Sequence, residues 1–416
     1  MPFARYRTAS TAPPTPRWRR LLAVLAVVLG TALAGPAPAA RASVTLTEVT
    51  GFGSNPGALT MYVYRPAGLP AHPPVVVALH GCTQSAQVYA DDSGLPKLAD
   101  RDGFLLVFAQ TTTANNPSQC FNWFQTTDNR RDQGEALSIR QMVSQAVTAY
   151  GADPQRVYVT GLSAGGAMTA VMLATYPDVF SAGAVVAGLP YDCTKDNSPY
   201  TCMNPGVDLG PDAWAQRVRD AYPSYRGPWP RTAIWYGDQD TTVAPRNATE
   251  LRDQWTALHG LSQTPTRTTA IGPDATQHDE YLAADGTVAV EVDRVPGIGH
   301  GTPVDPGTGT AQCGSTGAPY FPDSICSSYW IARFFGLDDT DPGDGGGGGG
   351  GGGGGTAACW TASNYAQVQA GRATTAGGLT YAKGSGQNMG LYNTFVTHTL
   401  KESPAGYYTV ADTGCP

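Results

Sequence analysis

The residues that most plainly carry chemistry are Gly161-Leu162-Ser163-Ala164-Gly165. The apolar run Val157-Tyr158-Val159-Thr160 precedes them, and an alanine-rich run from Ala167 to Ala174 follows. Strand, sharp turn and helix with serine at the apex form a nucleophile elbow. The turn lifts the hydroxyl clear of the backbone at the cost of strain. The glycines two residues either side let strand and helix pass without Cβ clashes. The helix that follows aims its N-terminus at a point where negative charge would develop. A small-residue turn is the plainer reading of five such residues, and the flanking strand and helix patterns argue against it.

A serine hydroxyl needs a base to take its proton and a carboxylate to orient that base. Behind such an elbow the acid and then the histidine follow in chain order. The run Thr232 to Tyr236 reads as a strand, and Gly237-Asp238-Gln239-Asp240-Thr241-Thr242-Val243 follows it. Asp240 is the first candidate for the acid, and Asp238, with a turn role as its alternative, the second. Of six histidines, His72, His259, His278 and His398 sit in polar or turn-like contexts. His300 lies in Gly297-Ile298-Gly299-His300-Gly301-Thr302-Pro303, just after a late strand, and is the candidate base. His80-Gly81-Cys82 closes the strand Val75 to Leu79. That position supplies one oxyanion N–H, here that of Cys82, and the residue after the nucleophile, Ala164, supplies the other. His80 is a candidate to hold this loop, or is simply hydrogen-bonded at a strand end. Trp123, in Asn122-Trp123-Phe124, reads equally as an aromatic wall of the pocket or as core.

The elements needed to position these residues are legible. Val75 to Leu79 and Leu105 to Ala109 are continuous apolar runs of the kind found in buried parallel strands. Ala136 to Tyr150 has helical spacing, and strands at Ala182 to Ala187 and Val288 to Val295 alternate with helices near Arg246 to His259 and Ser327 to Phe335. The alternation predicts an α/β-hydrolase fold, a doubly wound and mostly parallel sheet, over 43–337. Residues 338–355 are an Asp/Gly-rich linker whose eleven consecutive glycines span about 20 Å as a flexible coil. Residues 356–416 form a small domain with a thin core.

Residues 1–42 read as a signal peptide: arginines, an apolar core from Leu21 to Leu33, and Ala40-Arg41-Ala42 at the cleavage point. A membrane anchor is the alternative, and Arg19-Arg20 leaves twin-arginine export open beside the general route. The first 42 residues hold six Arg and no acid, so removing them takes Lys+Arg from 26 to 20 against 33 Asp+Glu, a net charge of −13. Such an acidic protein is poorly suited to nucleic acid or to anionic membrane surfaces. Eight cysteines in an exported chain suggest disulfides, with Cys193–Cys202, Cys313–Cys326 and Cys359–Cys415 as the local pairs and Cys82 and Cys120 left over. A metal site is the alternative use of cysteine, but no pair stands at ligand spacing.

Three segments together resemble extracellular poly(3-hydroxybutyrate) depolymerases, bacterial α/β-hydrolase esterases. They are Leu79-His80-Gly81-Cys82-Thr83-Gln84-Ser85, Gly161 to Met168, and Gly299-His300-Gly301-Thr302-Pro303-Val304-Asp305. The tail, from Asn364-Tyr365 through Tyr381-Ala382-Lys383-Gly384-Ser385 to Asn393, resembles that family's C-terminal substrate-binding domain. The resemblance implies Ser163, Asp240 and His300 as the triad, His80 on the oxyanion side, and a secreted enzyme that adsorbs to solid polyester granules. A serine triad needs no cofactor, and the protein is expected to be a monomer that binds neither nucleic acid nor membrane. Tyr365, Tyr381, Tyr392, Phe395, Tyr407 and Tyr408 are the candidates for the adsorbing face, some of them needed for the core instead. A polyglycine link replaces the family's longer threonine-rich or fibronectin-like segment. Feruloyl or acetyl-xylan esterase activity with a carbohydrate-binding tail is the alternative activity. A surface adhesin on an inactive esterase scaffold is the non-enzymatic one.

Overall fold

The computed structural model describes residues 43–194, 198–317, 320–338, 359–393, 396–402 and 408–412. Residues 1–42, expected to be a signal peptide, and the glycine run expected to be a linker lie outside them. The chain divides into two compact units, one up to Thr340 and one from Asp341.

Ten strands of the first unit form one sheet. In chain order they are β1 (Thr47–Val49), β2 (Thr60–Tyr64), β3 (Val75–Leu79), β4 (Leu105–Gln110), β5 (Val157–Leu162), β6 (Ala182–Val186), β7 (Arg231–Gly237), β8 (Arg267–Ile271), β9 (Thr276–Leu282) and β10 (Val288–Val295). Their order across the sheet is β1-β2-β4-β3-β5-β6-β7-β10-β9-β8. The six central strands are parallel, and β3 to β6 are continuous apolar runs because both of their faces are covered. The outer strands β1, β2, β9 and β8 run antiparallel.

Among the described residues, seven helices lie between these strands, α1 (Ala86–Ser93), α2 (Leu95–Asp102), α3 (Gly134–Tyr150), α4 (Ala164–Thr175), α5 (Tyr200–Met203), α6 (Pro211–Ala221) and α7 (Arg246–Leu258), and an eighth, α8 (Ser327–Phe335), follows β10. Alternate strand residues face opposite ways, so the sheet has two cores. Val75, Val77 and Leu79 pack with α3, α4, α6 and α7, while Val76 and Ala78 pack with α1, α2 and α8. All twelve residues of α4 are buried, which explains why it carries no polar stripe. Expected elements from Val75 to Phe335 stand where the sequence places them. Several others carried no such signal: β8 and β9, for instance, are rich in Thr, Gln and charged residues because they form one margin of the sheet.

The chain leaves β3 toward β4 and returns to form β5 on the other side of β3. Strand order reverses there, so the loops beyond β3 and β5 diverge and leave a crevice at their carboxyl ends. Within the first unit, three disulfides join Cys82–Cys120, Cys193–Cys202 and Cys313–Cys326, so the two leftover cysteines are a pair. Among the described residues, no helix is long and apolar enough to cross a membrane.

In the second unit, β11 (Cys359–Ser363), β15 (Thr397–Glu402) and β16 (Tyr408–Val410) form one small sheet, and β12 (Ala373–Ala376), β13 (Leu379–Ala382) and β14 (Asn388–Leu391) another, with α9 (Asn364–Gln369) between β11 and β12 in the chain. Its core is indeed thin: Ala373, Ala382, Met389 and Leu400, flanked by Val368, Tyr408 and Val410. Cys359 is disulfide-bonded, and its expected partner Cys415 lies outside the described residues.

Candidate active site

Ser163 stands between β5 and α4 with φ 57° and ψ −114°, a conformation that costs a non-glycine residue about 1–3 kcal/mol. Two backbone bonds hold it there: Ser163 N–H donates to Val186 O at 2.9 Å, and Ser163 O accepts from Ala167 N–H at 2.8 Å. The flanking glycines are needed for close approach. A Cβ on Gly161 would stand 2.5 Å from Gly165 O, and one on Gly165 would press on Leu79 O and lie 2.6 Å from His80 O.

Asp240 sits in the turn beyond β7 and is 4% exposed. Its Oδ1 accepts the backbone N–H groups of Thr242 and Val243 at 2.8 and 2.9 Å. Its Oδ2 lies 2.7 Å from His300 Nδ1. With one oxygen committed to the turn, the other is aimed at the imidazole. Asp238 has a different job. It accepts from Gly297 N–H at 2.8 Å and pairs with Arg294 at 2.9 Å, pinning the start of the loop that carries His300. Gln239 N–H donates to Ile298 O at 3.0 Å, so the loops after β7 and β10 are laced together. The His300 side chain is only 8% exposed and meets the Tyr320 ring edge-on at 6.3 Å. An imidazole held through Nδ1 by a buried carboxylate keeps Nε2 available for a proton, the arrangement acyl transfer requires.

In the loop after β3, Gly81 N–H donates to Gln84 Oε1 at 2.8 Å, Thr83 N–H to Ser118 O at 2.7 Å and Gln84 N–H to Gly81 O at 3.3 Å. Of these four consecutive N–H groups, Cys82 alone enters none of these bonds. Ala164, first residue of α4, has its N–H in the unpaired first turn. The Cys82–Cys120 bridge ties this loop to the segment that leads into Trp123.

His80 is fully buried, with Nδ1 on Gly81 O at 2.7 Å and Nε2 accepting from Thr111 N–H at 3.3 Å. Burial drives its pKa down from 6.5 to about 4, against the opposing pull of the Gly81 carbonyl. A neutral ring with both nitrogens on backbone cannot donate to an oxyanion; it fastens the ends of β3 and β4. Trp123 is 6% exposed and belongs to the core on the α3 and α4 side, with Phe124 edge-on at 5.5 Å, so it packs rather than presenting an open wall. Gln84 and Tyr320 carried no role in the sequence reading. Gln84 was visible within the loop motif, but only folding shows its amide oxygen holding Gly81.

In the second unit, Tyr365 is 45% exposed and its ring lies 5.6 Å from that of Tyr392. Leu391 beside them is exposed, and Tyr381 is half-buried. Tyr408 packs on the small core and meets Trp360 edge-on at 5.8 Å, so it fills the interior. Phe395 and Tyr407 lie outside the described residues.

Residues 58–275 match the family model described as Esterase PHB depolymerase. The chain belongs to that family. It is 50% identical over 293 residues, 70% of each chain, to the poly(3-hydroxyalkanoate) depolymerase C of Paucimonas lemoignei. It is 38% identical to an acetylxylan esterase of Coprinopsis cinerea, over 64% of this chain and 72% of that one. Among solved structures, an acetyl xylan esterase from Aspergillus awamori superposes with a TM-score of 0.57 at 32% identity, covering 62% of this chain and 94% of the other. Family membership makes the chain a carboxylic ester hydrolase with the α/β-hydrolase fold. The His80 to Ser85 loop, the elbow and the strands from β2 to β8 all fall within the matched span, while β1 and His300 lie outside it.

Proposed function

We propose that the protein is a secreted serine esterase that hydrolyses solid poly(3-hydroxybutyrate) to hydroxybutyrate monomer and short oligomers. The 2.7 Å contact between His300 and Asp240, at the sheet end that also holds the strained Ser163, supports the chemistry. The 50% identity to a polyhydroxyalkanoate depolymerase supports the substrate. In this reading Ser163 Oγ attacks the ester carbonyl while His300 Nε2 takes its proton. Asp240 holds the imidazole in the tautomer with Nδ1–H and stabilises its charged form. The N–H groups of Ala164 and Cys82 receive the oxyanion, each such donor contributing about 3 kcal/mol of transition-state stabilisation. His300 then protonates the departing alkoxide, and water, activated by the same ring, releases the acyl group and restores Ser163.

The chain divides as leader 1–42, catalytic domain 43–337, linker 338–355 and polyester-binding domain 356–416. The exposed Tyr365 and Leu391, with the Tyr365–Tyr392 pair, support adsorption to polymer, since phenol rings pair an apolar face with a hydroxyl for ester carbonyls. Three disulfides in the first unit support export to an oxidising compartment. The protein acts as a monomer and partners neither nucleic acid nor membrane. The second reading, acetyl-xylan or feruloyl esterase, draws on the acetylxylan esterase relatives.

Clearing of poly(3-hydroxybutyrate) granules by purified protein, run beside release of acetate from acetylated xylan and of ferulate from arabinoxylan, separates the two. Granule clearing without ester release from either polysaccharide is expected. A chain ending at Asp338 should keep its turnover of dissolved butyrate esters and lose most granule clearing, because tethering raises local substrate concentration. Equal clearing by both chains refutes the adsorption role.

A further inference from the structure

The sheet margin formed by β9 and β10 carries a buried polar cluster that ester hydrolysis does not use. Glu291 and Asp293, two apart on β10, face the same side. In register, Glu291 lies opposite Glu280 and Asp293 opposite His278 on β9, with Trp235 opposite Asp293 on β7. Asp293 is fully buried and Glu291 is 6% exposed. Arg267 pairs with Glu280, so that carboxylate is taken. His278 Nδ1 stands 2.7 Å from Asp293 Oδ1, and its Nε2 is 3.6 Å from Glu280 Oε1. Asp293 Oδ2 is buried with no hydrogen-bond partner. One ligand atom from each of His278, Glu291 and Asp293 lies within 4.8 Å of the others.

Two buried carboxylates side by side cannot both stay ionised without a cation or a shared proton. A divalent ion would neutralise the pair and give Asp293 Oδ2 its missing partner.

We propose that His278, Glu291 and Asp293 bind one divalent transition-metal ion of the zinc class. One imidazole nitrogen and two carboxylates are a fitting set for zinc, which holds such atoms at about 2.0–2.2 Å. Calcium is the wrong guest, because it takes about six to eight oxygens at longer range. The ion would bolt β9 to β10, the strand that runs into the His300 loop. Its role is therefore structural, and turnover of dissolved esters does not need it.

The test uses the full chain, free of any affinity tag, stripped with chelator and dialysed. Zinc chloride and calcium chloride are titrated separately by calorimetry, with bound metal and thermal midpoint measured beside butyrate-ester turnover. One equivalent of zinc should bind and raise the midpoint by on the order of 5 °C near hundredfold excess over its Kd. Asp293→Asn and Glu291→Gln should each weaken zinc binding about tenfold or more while leaving turnover unchanged. His398→Gln, which alters the imidazole paired with Asp412 in the other unit, should leave that binding as it is. The proposal falls if the wild type takes up no zinc, if calcium binds in its place, or if both cluster variants bind zinc as the wild type does. No zinc uptake together with higher midpoints in the two variants would instead assign the cluster a shared proton. Should one variant fail to fold, the other and the wild-type metal content still decide.

Discussion

Asp240→Asn tests the proposed triad most sharply, because the structure dictates how the new amide must sit. Asp240 Oδ1 accepts two backbone N–H groups, from Thr242 and Val243. An amide NH2 cannot accept, so the asparagine oxygen must keep that place and the nitrogen must take the place of Oδ2 beside His300 Nδ1. There it donates to the ring and forces the proton onto Nε2, the nitrogen needed as base. The two turn bonds survive, so the fold should survive with them. The loss belongs to chemistry: about 10⁴-fold in kcat, which at 1.36 kcal/mol per tenfold is about 5.5 kcal/mol. Asp238→Asn is the matched control. It keeps an acceptor for Gly297 N–H and loses only a half-exposed pairing with Arg294, worth about 0.2–1 kcal/mol, so kcat should move by no more than a few-fold. Initial rates on p-nitrophenyl butyrate, with thermal midpoints to confirm folding, measure both. If Asp240→Asn kept more than about a tenth of wild-type kcat, or if Asp238→Asn were the more damaging, the assignment of the acid would be wrong.

Two further outcomes follow from the scaffold around the site. Gly165→Ala should cost about 3 kcal/mol in denaturant unfolding and abolish activity, since its Cβ meets the immovable carbonyls of Leu79 and His80, whereas Gly210→Ala, with nothing near the new methyl, should cost less than about 1 kcal/mol. Stability should fall as pH drops from about 6.5 toward 4, because the unfolded chain protonates His80 at its ordinary value while burial holds the folded group near 4. Between those values the unfolded state binds more protons, and the group contributes about 3 kcal/mol that is present above 6.5 and lost by 4. His80→Asn should flatten the stability–pH slope in this window by about 1.4 kcal/mol per pH unit, and an unchanged slope would refute the buried neutral imidazole.

What contiguous residues dictate was readable along the chain. The elbow is readable because its small residues are contiguous from Gly161 to Gly165, although the carbonyls that demand them belong partly to Leu79 and His80, and the strands at Val75, Leu105, Val157 and Ala182 announce themselves because both faces are covered. Chain order then singled out His300, and spacing favoured Asp240 over Asp238 without separating them. Their separation needed long-range contact: only when the loops beyond β7 and β10 meet does Asp238 reach Gly297 while Asp240 reaches His300 across sixty positions of sequence. The same holds for His80, neutralised by burial and bonded to a strand end thirty-one residues on, and for Tyr365 and Tyr408, the same residue type but sent to surface and core by the small sheets. The cluster at Glu291 and Asp293 was invisible in the sequence, because an acidic pair on a strand reads as solvated until neighbouring strands bury it. Periodicity and sterics act between near neighbours and are written in the chain, whereas burial and the choice of hydrogen-bond partner belong to residues that only the packed sheet brings together.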